Sequence, residues 1–165
     1  MRILLLSDTH TSTSFIDCIN HENCDICFHA GDSQLIASEF NSLPILGVCG
    51  NCDFGAGFHE SINFSTEKYN YLVVHGHNDN VKYDLEDLAL RAKNEGANIA
   101  IYGHTHVVNV EKIDDIILIN PGSYVQSRSK YPNTYMVFDE ESGIIELKEA
   151  ITYNVITTFN INELC

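Results

Sequence analysis

The sequence predicts an α/β fold in which two sheets pack together with helices outside. Three observations lead to this prediction: a βαβαβ pattern in the first 50 residues, a hairpin followed by a helix in the middle, and closely spaced strands in the second half. Helices over stacked sheets are one of the few arrangements that cover both apolar faces of such strands. With 165 residues and no linker or repeat, we expect one domain over residues 1–165.

The first half alternates strands and helices. Three short apolar runs end in polar groups, which is typical of strands buried on both faces; they are residues 2–8 (RILLLSD), 25–32 and 44–50. The hydroxyl residues Ser12, Thr13 and Ser14 can cap a helix that ends near Glu22. A short helix is expected over about 33–40.

The second half is richer in strands. Residues 60–66 and 69–76, joined by a tight Glu-Lys connection, predict a hairpin. The helix that follows is expected to be capped by Asp84 and ended by Gly96, with Leu85, Leu88, Ala89 and Ala92 on its apolar face. A buried strand over 98–106 comes next. The last predicted strands, mostly antiparallel, are VVNVEK, IILIN, TYMVFD and IIELKEAIT.

Composition excludes several classes of function. Nine basic and 23 acidic residues give a net charge of −14, which repels polyanions, so we expect no nucleic acid polymer as a partner. The first apolar run is too short for a signal peptide, and no run is long enough to span a bilayer. We therefore expect a cytoplasmic protein with no membrane partner and six free thiols. For Cys24 and Cys27, buried thiols are favoured over a redox pair.

Polar side chains stand at the ends of five predicted strands. They are Asp8 and His10; His29, Gly31 and Asp32; Asn51, Cys52 and Asp53; His75 and His77; and His104 and His106. Ligands gather beyond the carboxyl ends of strands in such sheets, so these groups should meet at one edge. Glycines at 31, 50, 76 and 103 allow sharp turns and close approach there. The histidines at 21 and 59, in polar stretches, are expected on the surface.

Carboxylates and imidazoles held close together call for a cation. Two aspartates repel each other, and a partly buried charge is costly unless it is paired. One or two divalent metal ions would remove both penalties. Mixed oxygen and nitrogen ligands suit Mn²⁺, Fe²⁺, Zn²⁺, Ni²⁺ or Co²⁺ better than Ca²⁺.

These motifs identify a resemblance to a known family. The segments SDTH (7–10), GD (31–32), GNCD (50–53), HGH (75–77) and GHTH (103–106) resemble the signature blocks of the calcineurin-like metallophosphoesterases. The small, single-domain phosphodiesterase branch is most similar, because it also has an NPGS loop like residues 120–123 here. The resemblance implies a four-layer α/β/β/α sandwich and a metal-dependent hydrolase of small phosphodiesters.

The resemblance also implies a dinuclear metal centre, for which Mn²⁺ is favoured and Ni²⁺, Zn²⁺, Fe²⁺ and Co²⁺ remain alternatives. The first site would consist of Asp8, His10, Asp32 and His106. The second would consist of Asp32, Asn51, His75 and His104, with Asp32 bridging. A hydroxide shared by the two ions would attack phosphorus directly.

The catalytic candidates beside the metals are Asn51, Cys52 and His77. Asn51 would be a neutral oxygen ligand, and Asp53 an acceptor that orients its surroundings. Many members of the superfamily have a histidine, resembling a general acid, where this chain has Cys52. A thiol donates weak hydrogen bonds and carries no positive charge, so we expect Cys52 to be a near-bystander rather than a nucleophile. His77 could supply the proton instead, or be a structural histidine.

Other interpretations stay open from sequence. The same fold can act as a non-catalytic protein-interaction scaffold, as in the retromer subunit, or hydrolyse phosphomonoesters. The complete ligand set argues against the scaffold, and the acidic charge weakly disfavours a monoester dianion. The NPGS turn could contact substrate phosphate or be structural, and Arg128 could meet the substrate anion or be a surface residue. Similarity to small relatives also suggests a homo-oligomer.

Overall fold

The computed structural model describes residues 1–165 as eleven strands and two α-helices. The strands are β1 (Arg2–Leu6), β2 (Ile26–His29), β3 (Ile45–Gly47), β4 (Ser61–Ser65), β5 (Asn70–Val74), β6 (Ile99–Ile101), β7 (Asn109–Ile113), β8 (Ile116–Asn120), β9 (Thr134–Asp139), β10 (Ile144–Glu149) and β11 (Val155–Asn160). The helices are α1 (Phe15–Glu22) and α2 (Glu86–Asn94). Neither has the length and apolar content that a bilayer span requires.

The strands form two mixed sheets. The first has the order β11-β10-β9-β1-β2-β3, and the second has the order β4-β5-β6-β8-β7. In the first sheet β1, β2 and β3 run parallel, as do β5, β6 and β8 in the second. The remaining pairs in both sheets are antiparallel. The parallel strands carry the loops that hold the sequence motifs at residues 7–10, 31–32, 50–53, 75–77, 103–106 and 120–123.

Alternating side chains explain how four layers form. In β1, Ile3 and Leu5 join a core cluster between the two sheets, whereas Leu4 and Leu6 join a cluster beneath α1. All four are fully buried, as expected for a strand covered on both faces. β5 alternates in the same way between the inter-sheet cluster and a third cluster beneath α2. The order helix, sheet, sheet, helix confirms the α/β/β/α sandwich.

The prediction of a helix over about 33–40 is wrong. Only Ala37–Phe40 is helical, and it is a single 3-10 turn. Residues 33 and 34 bond to other loops instead: the Ser33 carbonyl accepts from the Thr11 amide at 2.8 Å, and the Gln34 amide donates to Asp53 Oδ1 at 2.7 Å. These tertiary hydrogen bonds outweigh local helix propensity.

The two expected helix caps also differ. Ser14 precedes α1, but its hydroxyl bonds to that of Ser12 at 2.8 Å and makes no side-chain bond to the helix. α2 begins at Glu86, so Leu85 takes the cap position. Asp84 still contacts the first turn, because its Oδ1 accepts from the Glu86 amide at 3.1 Å.

One strand was not predicted. The last predicted strand is IIELKEAIT, but β10 stops at Glu149 and the chain turns back to form β11. β11 lies at the edge of the first sheet and is mostly half-buried or exposed. An edge strand of this kind lacks the continuous apolar run that identified the buried strands.

Candidate metal centre

Five loops meet at one edge of the sandwich. They follow β1, β2 and β3 in the first sheet and β5 and β6 in the second. Cross-sheet hydrogen bonds join them: His75 Nδ1, after β5, bonds to the Ala30 carbonyl after β2 at 2.7 Å. The His104 amide, after β6, donates to Asp8 Oδ2 after β1 at 3.1 Å. The convergence expected from the strand ends is therefore present.

Asp8 lies at the centre of this site. Its Oδ1 is 3.1 Å from Nε2 of His106, 3.8 Å from Nε2 of His10 and 3.9 Å from Nε2 of His75. Asp8 is fully buried, and His75 and His106 are almost fully buried. Three imidazoles thus point the same ring nitrogen at one carboxylate oxygen.

The outer nitrogens of these rings are fixed by oxygen acceptors. Nδ1 of His10 bonds to Gln34 Oε1 at 2.8 Å, that of His75 to the Ala30 carbonyl, and that of His106 to the Gln126 carbonyl at 2.8 Å. A carbonyl oxygen only accepts, so Nδ1 carries the proton and donates. In the neutral ring, Nε2 then presents a lone pair to the centre, which is the arrangement of a metal-binding histidine.

Asp8 also supplies a test of whether a cation fits. Its Oδ2 accepts from Ser7 Oγ at 2.6 Å and from the His104 amide, whereas its Oδ1 is buried without a hydrogen-bond partner. A buried unsatisfied polar atom costs about 1–3 kcal/mol. A divalent cation beside Oδ1 would satisfy it together with the surrounding lone pairs, so the donor set fits a metal.

A second group of oxygens lies beside His75. Asp32 Oδ2 is 3.2 Å from His75 Nε2, and Asn51 Oδ1 is 3.0 Å from the same atom. The Asn51 amide nitrogen turns away and donates to Cys52 Sγ at 3.6 Å. The carboxamide oxygen is therefore presented to the site, as a neutral oxygen ligand requires.

The candidate ligand atoms fall into three groups whose members lie within 4.8 Å of one another. These groups are Asp8, His10 and His106; Asp8, Asp32 and His75; and His10, Asp32 and Cys52. His104 is in none of them, but its ring lies 5.0 Å from that of His75. The structure thus brings the expected ligands together, and it places Cys52 beside His10 and Asp32.

Electrostatics keeps the carboxylates charged. Burial opposes ionisation of Asp8, but the adjacent His106 and His75 outweigh it and lower its pKa. Burial also opposes ionisation of Asp32, yet its hydrogen bond to His75 holds the pKa well below the usual value. Burial works against a charged His75, but Asp32 and Asp8 raise its pKa. A metal ion would compete with that proton.

Most candidate ligands have a left-handed backbone. The φ angles are 54° at Asp8, 38° at His10, 58° at Asp32, 68° at His104 and 58° at His106. Side chains other than glycine rarely adopt this region, which costs roughly 1–2 kcal/mol per residue. Such strain persists only where the surroundings fix the backbone, and it concentrates at functional sites.

Asp53 is one of the groups that fix it. Its Oδ2 accepts from the amides of Asp32 at 2.6 Å and Gly50 at 2.8 Å, and its Oδ1 accepts from the Gln34 amide. Asp53 is buried and joins the loops after β2 and β3. The orienting role expected for it agrees with these contacts.

The NPGS turn supports two other loops. Asn120 Nδ2 donates to the Gly103 carbonyl and to Thr105 Oγ1, both at 3.0 Å. Ser123 Oγ donates to the Asp8 carbonyl at 2.8 Å. Both side chains are fully buried, so these contacts favour the structural alternative for the turn. The contacts join distant parts of the chain, so the motif by itself does not indicate them.

Close packing explains two of the glycines. A Cβ atom on Gly50 would overlap Asp32 Oδ1, and one on Gly103 would overlap Ser7 Oγ and lie 2.7 Å from Asp8 Oδ2. Any side chain there would push the carboxylates out of place.

The two remaining catalytic candidates differ in exposure. Cys52 is exposed, and its backbone amide donates to Asp32 Oδ1 at 2.8 Å. Burial and the nearby Asp32 raise the pKa of its thiol, so nothing in the protein activates it as a nucleophile. His77 is half-buried, its ring 5.4 Å from that of His75, and its buried Nδ1 has no partner. The structure leaves both expectations for His77 open.

All six cysteines are free, but the prediction of two buried thiols holds only for Cys27, since Cys24 is half-buried and precedes β2. Burial raises the pKa of Cys24 to about 11 and raises that of Cys27. His21 and His59 are exposed. Arg128 is exposed too, and its amide donates to the His106 carbonyl at 2.9 Å, so its backbone lies beside the loop after β6.

Comparison with known proteins indicates the same family as the sequence motifs do. Residues 1–143 match the family model for the calcineurin-like phosphoesterase superfamily domain. The "probable metallophosphoesterase" YsnB of Bacillus subtilis is 31% identical over 145 residues, or 86% of each chain. A phosphodiesterase of Methanocaldococcus jannaschii is 29% identical over 144 residues, covering 74% of this chain and 83% of its own.

Among solved structures, a conserved protein of Streptococcus pneumoniae superposes with a TM-score of 0.86 at 27% identity, covering 96% of both chains. The family match spans every loop of the candidate metal centre and most of the sandwich. The chain therefore belongs to the calcineurin-like phosphoesterase superfamily, a family of metal-dependent phosphoesterases.

Proposed function

We propose that the protein is a metal-dependent phosphodiesterase that hydrolyses small phosphodiesters. The observation that carries this proposal is the unpartnered Asp8 Oδ1, buried among three Nε2 atoms, which calls for a cation. The phosphodiesterase name of the archaeal relative supports the choice of reaction.

Two divalent ions would be held by the residues that the sequence indicated. Asp8, His10, Asp32 and His106 would hold one ion; Asp32, Asn51, His75 and His104 would hold the other. Bound there, the pair would supply an activated water as nucleophile and neutralise phosphoryl charge. Mixed oxygen and nitrogen ligands suit Mn²⁺, Fe²⁺, Zn²⁺, Ni²⁺ or Co²⁺, and the family resemblance favours Mn²⁺ among them.

The protein's own groups prepare the site. The oxygen acceptors on Nδ1 keep three Nε2 atoms directed at the centre. Asp53 holds the strained turn that carries Asp32. Because the ligands are oriented before an ion binds, little reorganisation is required.

Departure of the alcohol receives little help from the protein. Cys52 donates only weak hydrogen bonds, and His77 is the one other candidate for protonating the leaving group. We therefore propose that diesters with stable leaving groups react readily and alkyl diesters slowly. A diester carries one negative charge, which suits this acidic protein better than a monoester dianion.

The test combines metal analysis with hydrolysis of bis(p-nitrophenyl) phosphate and p-nitrophenyl phosphate, with and without Mn²⁺. We expect bound divalent metal and Mn²⁺-dependent turnover of the diester. Asp32→Asn should lower turnover by on the order of 100-fold or more, because the bridging charge is lost. The matched control, Asp115→Asn, changes an exposed aspartate in the β7–β8 turn and should be inert.

Each alternative function predicts a different result in these assays. A folded protein with neither metal nor turnover would contradict the proposal and favour a scaffold. Turnover confined to the monoester would identify a phosphomonoesterase instead.

A further inference from the structure

His29 is a buried histidine at the end of β2 that the proposed chemistry does not use. It is 1% exposed. Both of its ring nitrogens bond to the protein: Nδ1 accepts from the Gly31 amide at 3.2 Å, and Nε2 lies 3.0 Å from Thr9 Oγ1. His29 therefore has no nitrogen left for a metal ion.

Its tautomer is the reverse of that in the candidate ligands. Because Nδ1 accepts from a backbone N–H, the ring proton is on Nε2, which donates to the Thr9 hydroxyl. Burial lowers the pKa of His29 to about 4, so the ring stays neutral near pH 7. The bond from Gly31 requires this neutral form, because a protonated Nδ1 could no longer accept.

The two contacts join the loops that carry three candidate ligands. Thr9 lies between Asp8 and His10, and Gly31 immediately precedes Asp32. The loops also run side by side, with the Asp8 amide donating to the Gly31 carbonyl and the His10 amide to the Asp32 carbonyl, both at 3.0 Å. The His29 contacts add side-chain bonds to this backbone pairing.

Packing fixes the ring in place. The rings of Phe15 and Phe40 lie 5.7 Å and 5.8 Å from that of His29. A ring held in this way cannot turn to follow a loop that moves. The left-handed residues on both loops would relax without such support, because their backbone conformations are unfavourable in isolation.

We infer that His29 is a positioning residue that sets the metal affinity of the centre by joining Thr9 to Gly31. It keeps Asp8 and His10 at a fixed distance from Asp32. This inference rests on the metal binding in the proposed function, but not on the reaction catalysed.

The first experiment compares Thr9→Val with Thr9→Ser. Valine keeps the shape of threonine and removes the hydroxyl, whereas serine keeps the hydroxyl. Mn²⁺ affinity is measured by electron paramagnetic resonance of free Mn²⁺ during titration, without substrate. We expect Thr9→Val to weaken binding about tenfold or more, as do other losses of support behind metal ligands. Thr9→Ser should stay within about twofold of the unchanged protein.

The second experiment uses His29→Asn, whose side-chain oxygen can still accept from Gly31 but cannot reach Thr9. We expect Mn²⁺ binding to weaken as in Thr9→Val. Adding Thr9→Val to His29→Asn should cause little further loss, since both remove the same bond. His59→Asn, at an exposed histidine, is the control and should bind Mn²⁺ normally.

Thermal unfolding of the metal-free variants separates positioning from general stability. If Thr9→Val and His29→Asn unfold earlier but bind Mn²⁺ with unchanged affinity, His29 is only structural and the inference is wrong. If the protein binds Mn²⁺ and the variants weaken that binding, but no diester is hydrolysed, the proposed function fails and the inference stands.

Discussion

Cys52 contributes to the site through its backbone as much as through its side chain. Its backbone amide donates to Asp32 Oδ1 whatever the side chain is. Its Sγ only accepts a hydrogen bond from the side-chain amide of Asn51. Neither contact makes it a nucleophile. The thiol occupies a position next to His10 and Asp32 from which a longer, charged side chain could reach the leaving group.

Replacement of Cys52 by histidine should therefore broaden the range of leaving groups. An imidazolium can protonate an alkoxide, so we expect hydrolysis of alkyl diesters to rise roughly tenfold or more. Rates are compared for diesters with p-nitrophenolate and alkoxide leaving groups at fixed Mn²⁺. Cys52→Ala is the matched control and should keep its metals and its turnover of the p-nitrophenyl diester. Complete loss of turnover in that control would make Cys52 essential and contradict this account.

The residue types in the sequence predicted the candidate metal ligands better than the residues that hold the ligand loops in place. Aspartates and histidines at strand ends identify a metal site because few other environments tolerate them together. The roles of His29, Asn120 and Ser123 depend on contacts between residues far apart in the chain. A sequence signal existed for the NPGS turn, but not for which loops it contacts.

At the scale of elements, buried strands were predicted well because their apolar runs are continuous. β1 and β5 are examples. The edge strand β11 lacked that signal, and the helix expected over 33–40 lost its first turn to hydrogen bonds with the site loops. The segment after β2, which adjoins the metal centre, thus departs from local propensity, because tertiary contacts determine its conformation.

The contact between β6 and β1 offers a test at this scale. Gly103→Ala places a methyl group against Ser7 Oγ and Asp8 Oδ2, which should destabilise the metal-free protein by about 1–3 kcal/mol. It should also weaken Mn²⁺ binding, because Asp8 is displaced. Urea unfolding and Mn²⁺ titration measure the two effects.

Gly96→Ala provides the comparison for Gly103→Ala. Gly96 has a φ of 78° but no atom near its missing Cβ, so alanine there should cause backbone strain alone. Its Mn²⁺ affinity should be unchanged. Equal Mn²⁺ affinity in both variants would mean that close packing at Gly103 does not position Asp8.

For the whole molecule, acid should weaken the fold through His29. In the unfolded chain a histidine protonates near pH 6.5, but in the folded protein burial lowers the pKa of His29 to about 4. Between these values only the unfolded state takes up the proton, so stability is full above pH 6.5 and falls toward pH 4. His29 should contribute about 2 kcal/mol to the loss between pH 7 and pH 5, and His104, whose pKa burial also lowers to about 4, should add to that loss.

Urea unfolding of the metal-free protein at pH 7 and pH 5 measures this loss. His29→Asn should show a smaller decrease, because the buried ring is gone, whereas His59→Asn should show the original one. An unchanged decrease in His29→Asn would assign the acid sensitivity to other groups.

The left-handed backbone of the ligand residues has an evolutionary consequence. Glycine accepts that conformation without the steric cost that aspartate or histidine bears, so replacement by glycine would discard a ligand while relieving strain in the loop. Selection for hydrolysis must oppose this drift continually. A lineage that is no longer selected for hydrolysis can lose its metal ions and keep a more stable sandwich. Inactive descendants of this fold can therefore arise by few substitutions.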